Sequence, residues 1–270
     1  MTLEEATRLL AAAGIETPRA EARLLLAHVL GVSRDATLTA TPTPDQGAAF
    51  AALVTRRAAH EPFAYIVGRK EFWSLAFEVG PGVLIPRPDT ETLIEEALRL
   101  LPNRNAPLRI ADLGSGSGAL LVAALREFPN AQGVGFESSS EAFNFARVNA
   151  AKLVGPRAEI RAEDWNDARG PFDLIFSNPP YIPTSDIESL APEVCRHEPN
   201  AALDGGPDGL DAYRGLAELL PKILKPGGYA VLEIGIGQAS AMELLFRKLE
   251  IVRIAPDLAG IPRCLVLRNS

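Results

Sequence analysis

Cysteine is almost absent from this 270-residue chain: Cys195 and Cys264 are the only two. Two are too few for a disulfide framework, so a reducing compartment is expected. Also missing is any apolar run near the roughly 18 residues that a membrane span needs. The opening Met1-Thr2-Leu3-Glu4-Glu5 has neither the basic stretch nor the long apolar stretch of a signal peptide. The expected location is therefore the cytoplasm. Nor is there a surplus of positive charge: the formal net charge is −7, which argues against a surface built for a phosphate backbone. What remains, 47% hydrophobic and 23% charged residues, is the composition of a soluble globular protein. The length suffices for one large domain and a smaller one.

Residues 1–70 read as a small helical bundle. Thr2 with Glu5 forms a capping box ahead of Leu3, Ala6, Leu9, Leu10 and Ala13, which have helical spacing, and Gly14 ends that helix. Thr17-Pro18 caps a second helix that stops at Gly31. Thr43-Pro44-Asp45-Gln46 starts a third, running through Phe50 to Arg57. Between Trp73 and Val79 the large apolar side chains alternate, as in a strand. Pro81-Gly82 is expected to turn that strand into a hairpin with Val83-Leu84-Ile85, making residues 71–88 a linker. From Asp89 to Ser270 strands and helices alternate, with strands expected near 108–113, 132–137, 158–162, 172–177, 228–235, 250–255 and 263–268. Such alternation predicts a doubly wound, mostly parallel seven-stranded α/β sheet. The link from Pro256 to Pro262 is too short for a helical crossover, so the last two strands should be antiparallel.

The segment Asp112-Leu113-Gly114-Ser115-Gly116-Ser117-Gly118-Ala119 follows the first strand of that sheet and opens a helix. Alternate glycines let the backbone turn sharply and approach a ligand. Glu137 ends the next strand, where a carboxylate can accept from ribose hydroxyls. This is an adenosine-binding arrangement. Because Gly114, Gly116 and Ala119 satisfy the relaxed dinucleotide fingerprint, NAD competes with S-adenosylmethionine as the ligand. Asp112 favours the latter, since a carboxylate beside the loop suits a cation better than a pyrophosphate. Asp164-Trp165 follows the third strand, where Trp165 can wall an adenine and Asp164 can accept from its amino group.

Asn178-Pro179-Pro180-Tyr181 follows the fourth strand. An Asn side chain followed by two residues without N–H groups makes a rigid rim of acceptors with no competing donor. Such a rim suits a planar nitrogen carrying two N–H bonds, either a carboxamide or an exocyclic base amine, and Tyr181 can pack on the flat group. In an open sheet the ligand crevice lies where strand order reverses, between the first and fourth strands. The rim therefore faces the ligand of the glycine loop. The expected roles are acceptance of the two N–H bonds by the Asn178 side-chain oxygen and the Pro179 carbonyl. No general base is required before transfer, and His60 and His197 are not assigned that role.

With Asp112–Gly118, Glu137, Asp164-Trp165 and Asn178–Tyr181 in this order, the chain is similar to class I methyltransferases that act on planar nitrogen. Within them it resembles the peptide chain release factor N5-glutamine methyltransferases. The resemblance extends through Glu61–Ile66, Glu71-Phe72-Trp73, Ile85–Glu91, His197-Glu198-Pro199 and Ala202–Gly206 with Asp208-Gly209-Leu210. It implies S-adenosylmethionine at Gly114, Ser115, Gly116, Ser117, Gly118, Glu137, Trp165 and Asn178. It also implies the glutamine of a release factor's Gly-Gly-Gln tip at Asn178, Pro179, Pro180 and Tyr181. The partner is then a release factor, engaged by a monomer, with the helical domain helping to dock it, and neither metal nor nucleic acid is expected. The chain departs from the family pattern at Glu137, where the family usually has Asp, and at Cys195-Arg196, where it has Arg-Asp. The competing function is an adenine-N6 or cytosine-N4 methyltransferase of DNA or RNA, which would need a flipped base and a basic recognition region. Residues 1–80 carry eight Lys/Arg against nine Asp/Glu, which disfavours it.

Overall fold

Residues 1–270 are described by a computed structural model, and they divide into two compact units. The smaller comprises Met1–Arg69 and Ala191–His197. Helix α1 (Leu3–Ala12) opens on the expected capping box: Glu5 N–H donates to Thr2 Oγ1, and Thr2 N–H donates to the Glu5 carboxylate. Helix α2 (Pro18–Leu30) starts at Pro18, but Thr17 makes no side-chain cap bond, contrary to the sequence reading. Helix α3 (Pro44–Ala58) repeats the capping box with Thr43 and Gln46, and α4 (Phe63–Val67) follows. Leu10, Leu25, Phe50 and Val54 form the core of this unit. Beside it the guanidinium of Arg57, only 6% exposed, bonds Glu21 at 2.5 Å and Glu193 at 2.9 Å. Glu193 is what ties residues 191–197 to this unit, so that segment is separate from the surrounding sequence of the larger one.

The larger unit, Lys70–Leu190 with Glu198–Ser270, opens with a two-stranded sheet of β1 (Arg69–Phe72) and β2 (Leu75–Glu78). This corrects the expected hairpin. The turn is at Trp73-Ser74, with φ of 50° and 56°, and Val83–Ile85 is not a strand. Positive φ at both central residues is the type I′ geometry that matches strand twist, here adopted without the usual Asn or Gly. Trp73 is held there because its N–H donates to Glu91 and its indole donates to Glu127 at 2.8 Å.

The helices α5 (Glu91–Leu100), α6 (Ala119–Glu127), α7 (Ser140–Leu153), α8 (Pro192–His197, in the smaller unit), α9 (Asp211–Ile223) and α10 (Ala239–Leu245) alternate with the strands of one sheet. Those strands are β3 (Arg109–Leu113), β4 (Gln132–Phe136), β5 (Ala158–Arg161), β6 (Phe172–Ser177), β7 (Leu224–Glu233), β8 (Glu250–Pro256) and β9 (Pro262–Arg268). Their order is β5-β4-β3-β6-β7-β9-β8, with β9 antiparallel to both neighbours, as the short link required. Period-two alternation splits the central strands between two cores. Ile110, Phe176, Val231 and Val266 face α5 and α6. Ala111, Ile175, Leu232 and Leu265 face α9 and α10. No helix is long and apolar enough to cross a membrane.

One buried side chain joins the hairpin to the sheet's first loop. Asn149 on α7 is fully buried; its amide donates to the carbonyls of Glu78 and Ser117 at 3.0 and 2.9 Å, and its oxygen accepts from Glu78 N–H at 2.8 Å. Asn149→Ala leaves all three backbone groups without that partner. The expected loss is about 2–4 kcal/mol of stability, read as a lower urea midpoint at an unchanged slope.

Candidate active site

Strand β3 pairs with β4 on one side and β6 on the other, so the winding of the sheet reverses between them and opens a crevice at the carboxyl ends. The fully buried Ser177 hydroxyl, at the end of β6, donates to the Leu113 carbonyl at the end of β3, at 2.6 Å. Gly114 and Asn178 therefore leave the sheet as neighbours. Gly114 and Ser115 both donate N–H to the Phe136 carbonyl at 3.0 Å, folding the glycine loop over the end of β4. At Gly114, φ is 78° and a Cβ would come within 3.0 Å of the Trp165 ring, so any side chain there would be strained and would press on the ring.

A cavity of about 210 Å³ lies between these loops. Of the residues singled out in the sequence, Gly114, Gly116, Glu137, Asp164, Trp165, Asn178 and Pro180 line it. Three others shape the loop from behind. Ser115 and Ser117 are buried, with Ser115 Oγ donating to the Asp112 carbonyl, and Gly118 begins α6 at φ 81°. Pro179 is buried, and Tyr181 is half-buried and outside the lining. His60 and His197 belong to the helical unit, where His60 Nδ1 faces Glu193 at 3.3 Å.

The acidic residues divide by environment. Glu137 accepts from Gly116 N–H and Ser139 N–H, both at 2.8 Å, so the longer side chain reaches back to the glycine loop. Burial raises its pKa, against the pull of those N–H groups. Asp164 accepts from Asn166 N–H at 2.8 Å and caps the short turn that presents Trp165. Asp112 lies beneath the loop, 1% exposed, and neither carboxyl oxygen has a hydrogen-bond partner. Burial pushes its pKa up to about 7 and the charge of Glu137 pushes the same way, against a weaker pull from the Leu121 N–H and the Ser115 hydroxyl, which lie near the carboxyl without forming a well-aligned bond. A carboxylate so placed fits a cation.

Behind the Asn178–Tyr181 rim lies a network that the sequence reading passed over. Asn178 Nδ2 donates to Thr90 Oγ1 at 3.4 Å, and Thr90 Oγ1 donates to Glu233 Oε2 at 2.5 Å. The Tyr181 hydroxyl donates to Glu233 Oε1 at 3.1 Å. Burial raises the Glu233 pKa, while both hydroxyls and the Arg263 charge draw it down. Burial beside Glu233 also raises the Tyr181 phenol. Gln238 fixes the backbone, donating to the Tyr181 and Gly209 carbonyls at 3.0 and 3.1 Å. A Cβ at Gly209 would sit 2.3 Å from the Tyr181 carbonyl, which accounts for the glycine there. Glu198, 5% exposed, accepts from Ile85 N–H at 3.0 Å and from Arg87, so the Ile85–Glu91 and His197-Glu198-Pro199 motifs meet at this carboxylate. The available signal was an acidic residue, Glu233, closing an otherwise apolar strand.

Because folding raises the Asp112 pKa from 3.8 to about 7, the folded state holds this proton more tightly than the unfolded chain does. Its contribution to stability is present below about pH 4 and is lost as pH rises to about 7. Asp112→Asn should therefore gain on the parent protein by roughly 2–3 kcal/mol between about pH 5 and about pH 8, measured as the difference in urea-unfolding free energy at each pH.

Comparison with known proteins identifies the family. Residues 2–68 match the family model described as PrmC N-terminal domain, and residues 90–206 match the Methyltransferase small domain. The chain is 47% identical to the release factor glutamine methyltransferase of Caulobacter vibrioides over 241 residues, covering 87% of this chain and 83% of the relative. It is 45% identical to that of Rhodospirillum rubrum over 267 residues, covering 95% and 81%. Among solved structures, the 16S rRNA N2 G1207 methyltransferase of T. thermophilus in complex with AdoMet and guanosine shares the fold. Its TM-score is 0.52 and its identity 19%, over 75% of this chain and 50% of that one. The chain belongs to the release factor glutamine methyltransferase family.

Proposed function

We propose that this chain transfers a methyl group from S-adenosylmethionine to the side-chain amide nitrogen, N5, of the glutamine in the Gly-Gly-Gln motif of translation release factors. The observation that carries the proposal is the meeting of the glycine loop and the Asn178 rim in one cavity, with an unpartnered carboxylate below the loop.

The residues present fit S-adenosylmethionine. A ligand that carries a sulfonium and an ammonium would draw the buried Asp112 carboxyl into its charged form, whereas the pyrophosphate of NAD would bring like charge. Gly114 and Gly116 allow close backbone approach, and Ser115, Ser117 and Gly118 hold the loop in shape. Each Glu137 oxygen accepts one N–H and keeps lone pairs for ribose hydroxyls. Trp165 walls the adenine, and Asp164 accepts from its amino group. When bound, S-adenosylmethionine supplies a methyl made electrophilic by the sulfonium.

The chain's own residues then aim a poor nucleophile. An amide lone pair is delocalised into its carbonyl, and orientation is the main task. The Asn178 side-chain oxygen and the Pro179 carbonyl accept the two amide N–H bonds, fix the nitrogen and favour its pyramidalisation. Positioning of this kind contributes up to roughly 7–11 kcal/mol. The same acceptors stabilise the positive charge that develops on nitrogen. Pro180 adds no competing N–H, and Tyr181 packs over the amide and excludes water. The extra proton leaves to water after transfer. The helical unit serves to dock the protein substrate, and one copy of the chain acts in the cytoplasm, where release factors work.

Asn178→Ala leaves a substrate N–H unpaired, at a cost of about 1–3 kcal/mol. The expected result is a fall of roughly 5- to 150-fold in methyl transfer to a release factor, measured with labelled S-adenosylmethionine at saturation; an undiminished rate removes Asn178 from the mechanism. In the same assay with parent protein, label should enter the release factor and not DNA. Label on DNA alone would select the nucleic-acid reading.

A further inference from the structure

We propose that Glu233 is the positioning residue of the site: through Thr90 it turns the Asn178 amide so that its oxygen faces the substrate, and through the Tyr181 hydroxyl it anchors the ring at the other end of the rim. The proposal rests on the methyl-transfer reading above and adds to it two residues, Thr90 and Glu233.

An Asn side chain has two nearly isosteric orientations, one presenting oxygen and one presenting NH₂. Only the first accepts a substrate N–H, so something must select it. Thr90 Oγ1 has a single proton and is 5% exposed, with no access to bulk solvent as an alternative partner. That proton points at Glu233 Oε2, at 2.5 Å. What the hydroxyl has left for Asn178 is lone pairs, and a lone pair calls for Nδ2, the atom found there at 3.4 Å. The opposite orientation would set the Asn178 oxygen against an oxygen with no proton to give.

The selection is only as strong as the commitment of the Thr90 proton, and a carboxylate commits it because it accepts and does not donate. Glu233 is 2% exposed and makes no ion pair within 4.0 Å. Its side-chain partners are the two hydroxyls, one on each oxygen. Burying a carboxylate on such terms is costly, and a Gln would fill the same space without a charge. Two features keep it in place. Arg263, held between Asp89 at 3.9 Å and Asp257 at 3.4 Å, supplies a positive field. The Tyr213 hydroxyl fixes the Glu233 carbonyl at 2.9 Å. A Gln at this position could hold the same shape, but its NH₂ must donate to one hydroxyl. That hydroxyl then reverses, and either Asn178 or Tyr181 loses its orientation.

The test is steady-state methyl transfer to a release factor by the full-length chain, alongside S-adenosylmethionine affinity by calorimetry. Thr90→Val and Glu233→Gln should each lower kcat at least tenfold with the S-adenosylmethionine Kd changed less than twofold. Thr90→Ser, which keeps the hydroxyl, should restore kcat to within threefold of the parent. Wild-type kcat in Glu233→Gln, or equal rates in Thr90→Val and Thr90→Ser, would overturn the proposal. Should Glu233→Gln not fold, the Thr90 pair still decides. Should the parent methylate a nucleic-acid amine instead, the substrate reading fails, and the same variants compared on that amine decide the positioning role separately.

Discussion

The bond from the Ser177 hydroxyl to the Leu113 carbonyl marks the constraint on which the site depends. Two parallel strands that wind away from each other must leave a gap at their carboxyl ends, and no helix can cover it from either side. Everything chemical in the larger unit is set around that gap. The glycine loop leaves one lip and the Asn178 rim leaves the other. Since both lips leave the buried carboxyl ends of paired strands, their separation is fixed by the packing of the sheet and not by the loops themselves.

Around the gap the protein tolerates two buried carboxyls that a stability-optimised fold would avoid. Asp112 has no partner, and Glu233 has hydroxyls for partners. Their environments differ in what they leave unsatisfied. Asp112 sits beneath the loop without a hydrogen-bond partner, so a proton or a cationic ligand must meet its charge. Glu233 is saturated by protons borrowed from Thr90 and Tyr181, and so passes its influence outward as orientation. One carboxyl recruits and the other aligns, which is a division of labour set by environment alone.

Much of this was legible in the sequence because its signals are local. Alternating apolar runs gave the seven strands to within a few residues, and the glycine loop and the Asn-Pro-Pro-Tyr rim are each contiguous. The Trp73-Ser74 turn was not legible, because positive φ there is imposed by Glu91 and Glu127 and not by turn residues. Thr90 and Glu233 escaped for a related reason: their partners lie 143 residues apart in the chain, and neither residue type announces a role by itself. The attachment of residues 191–197 to the helical unit likewise depends on Glu193 meeting Arg57, 136 residues away. Ser115, Ser117 and Gly118 matched a ligand motif in sequence, yet they stand behind the loop, since a motif records adjacency and not which way each side chain points.

Asn149 carries a further implication. Its three bonds reach β2 and the carbonyl of Ser117 from a single position on α7. The hairpin edge and the turn of the glycine loop therefore share an anchor, and a change at Asn149 reaches both. Three pieces remote in sequence are thereby fastened at one buried side chain. The loop that must approach a ligand closely is thus fastened from behind by one buried residue of α7, the same residue that holds the hairpin edge.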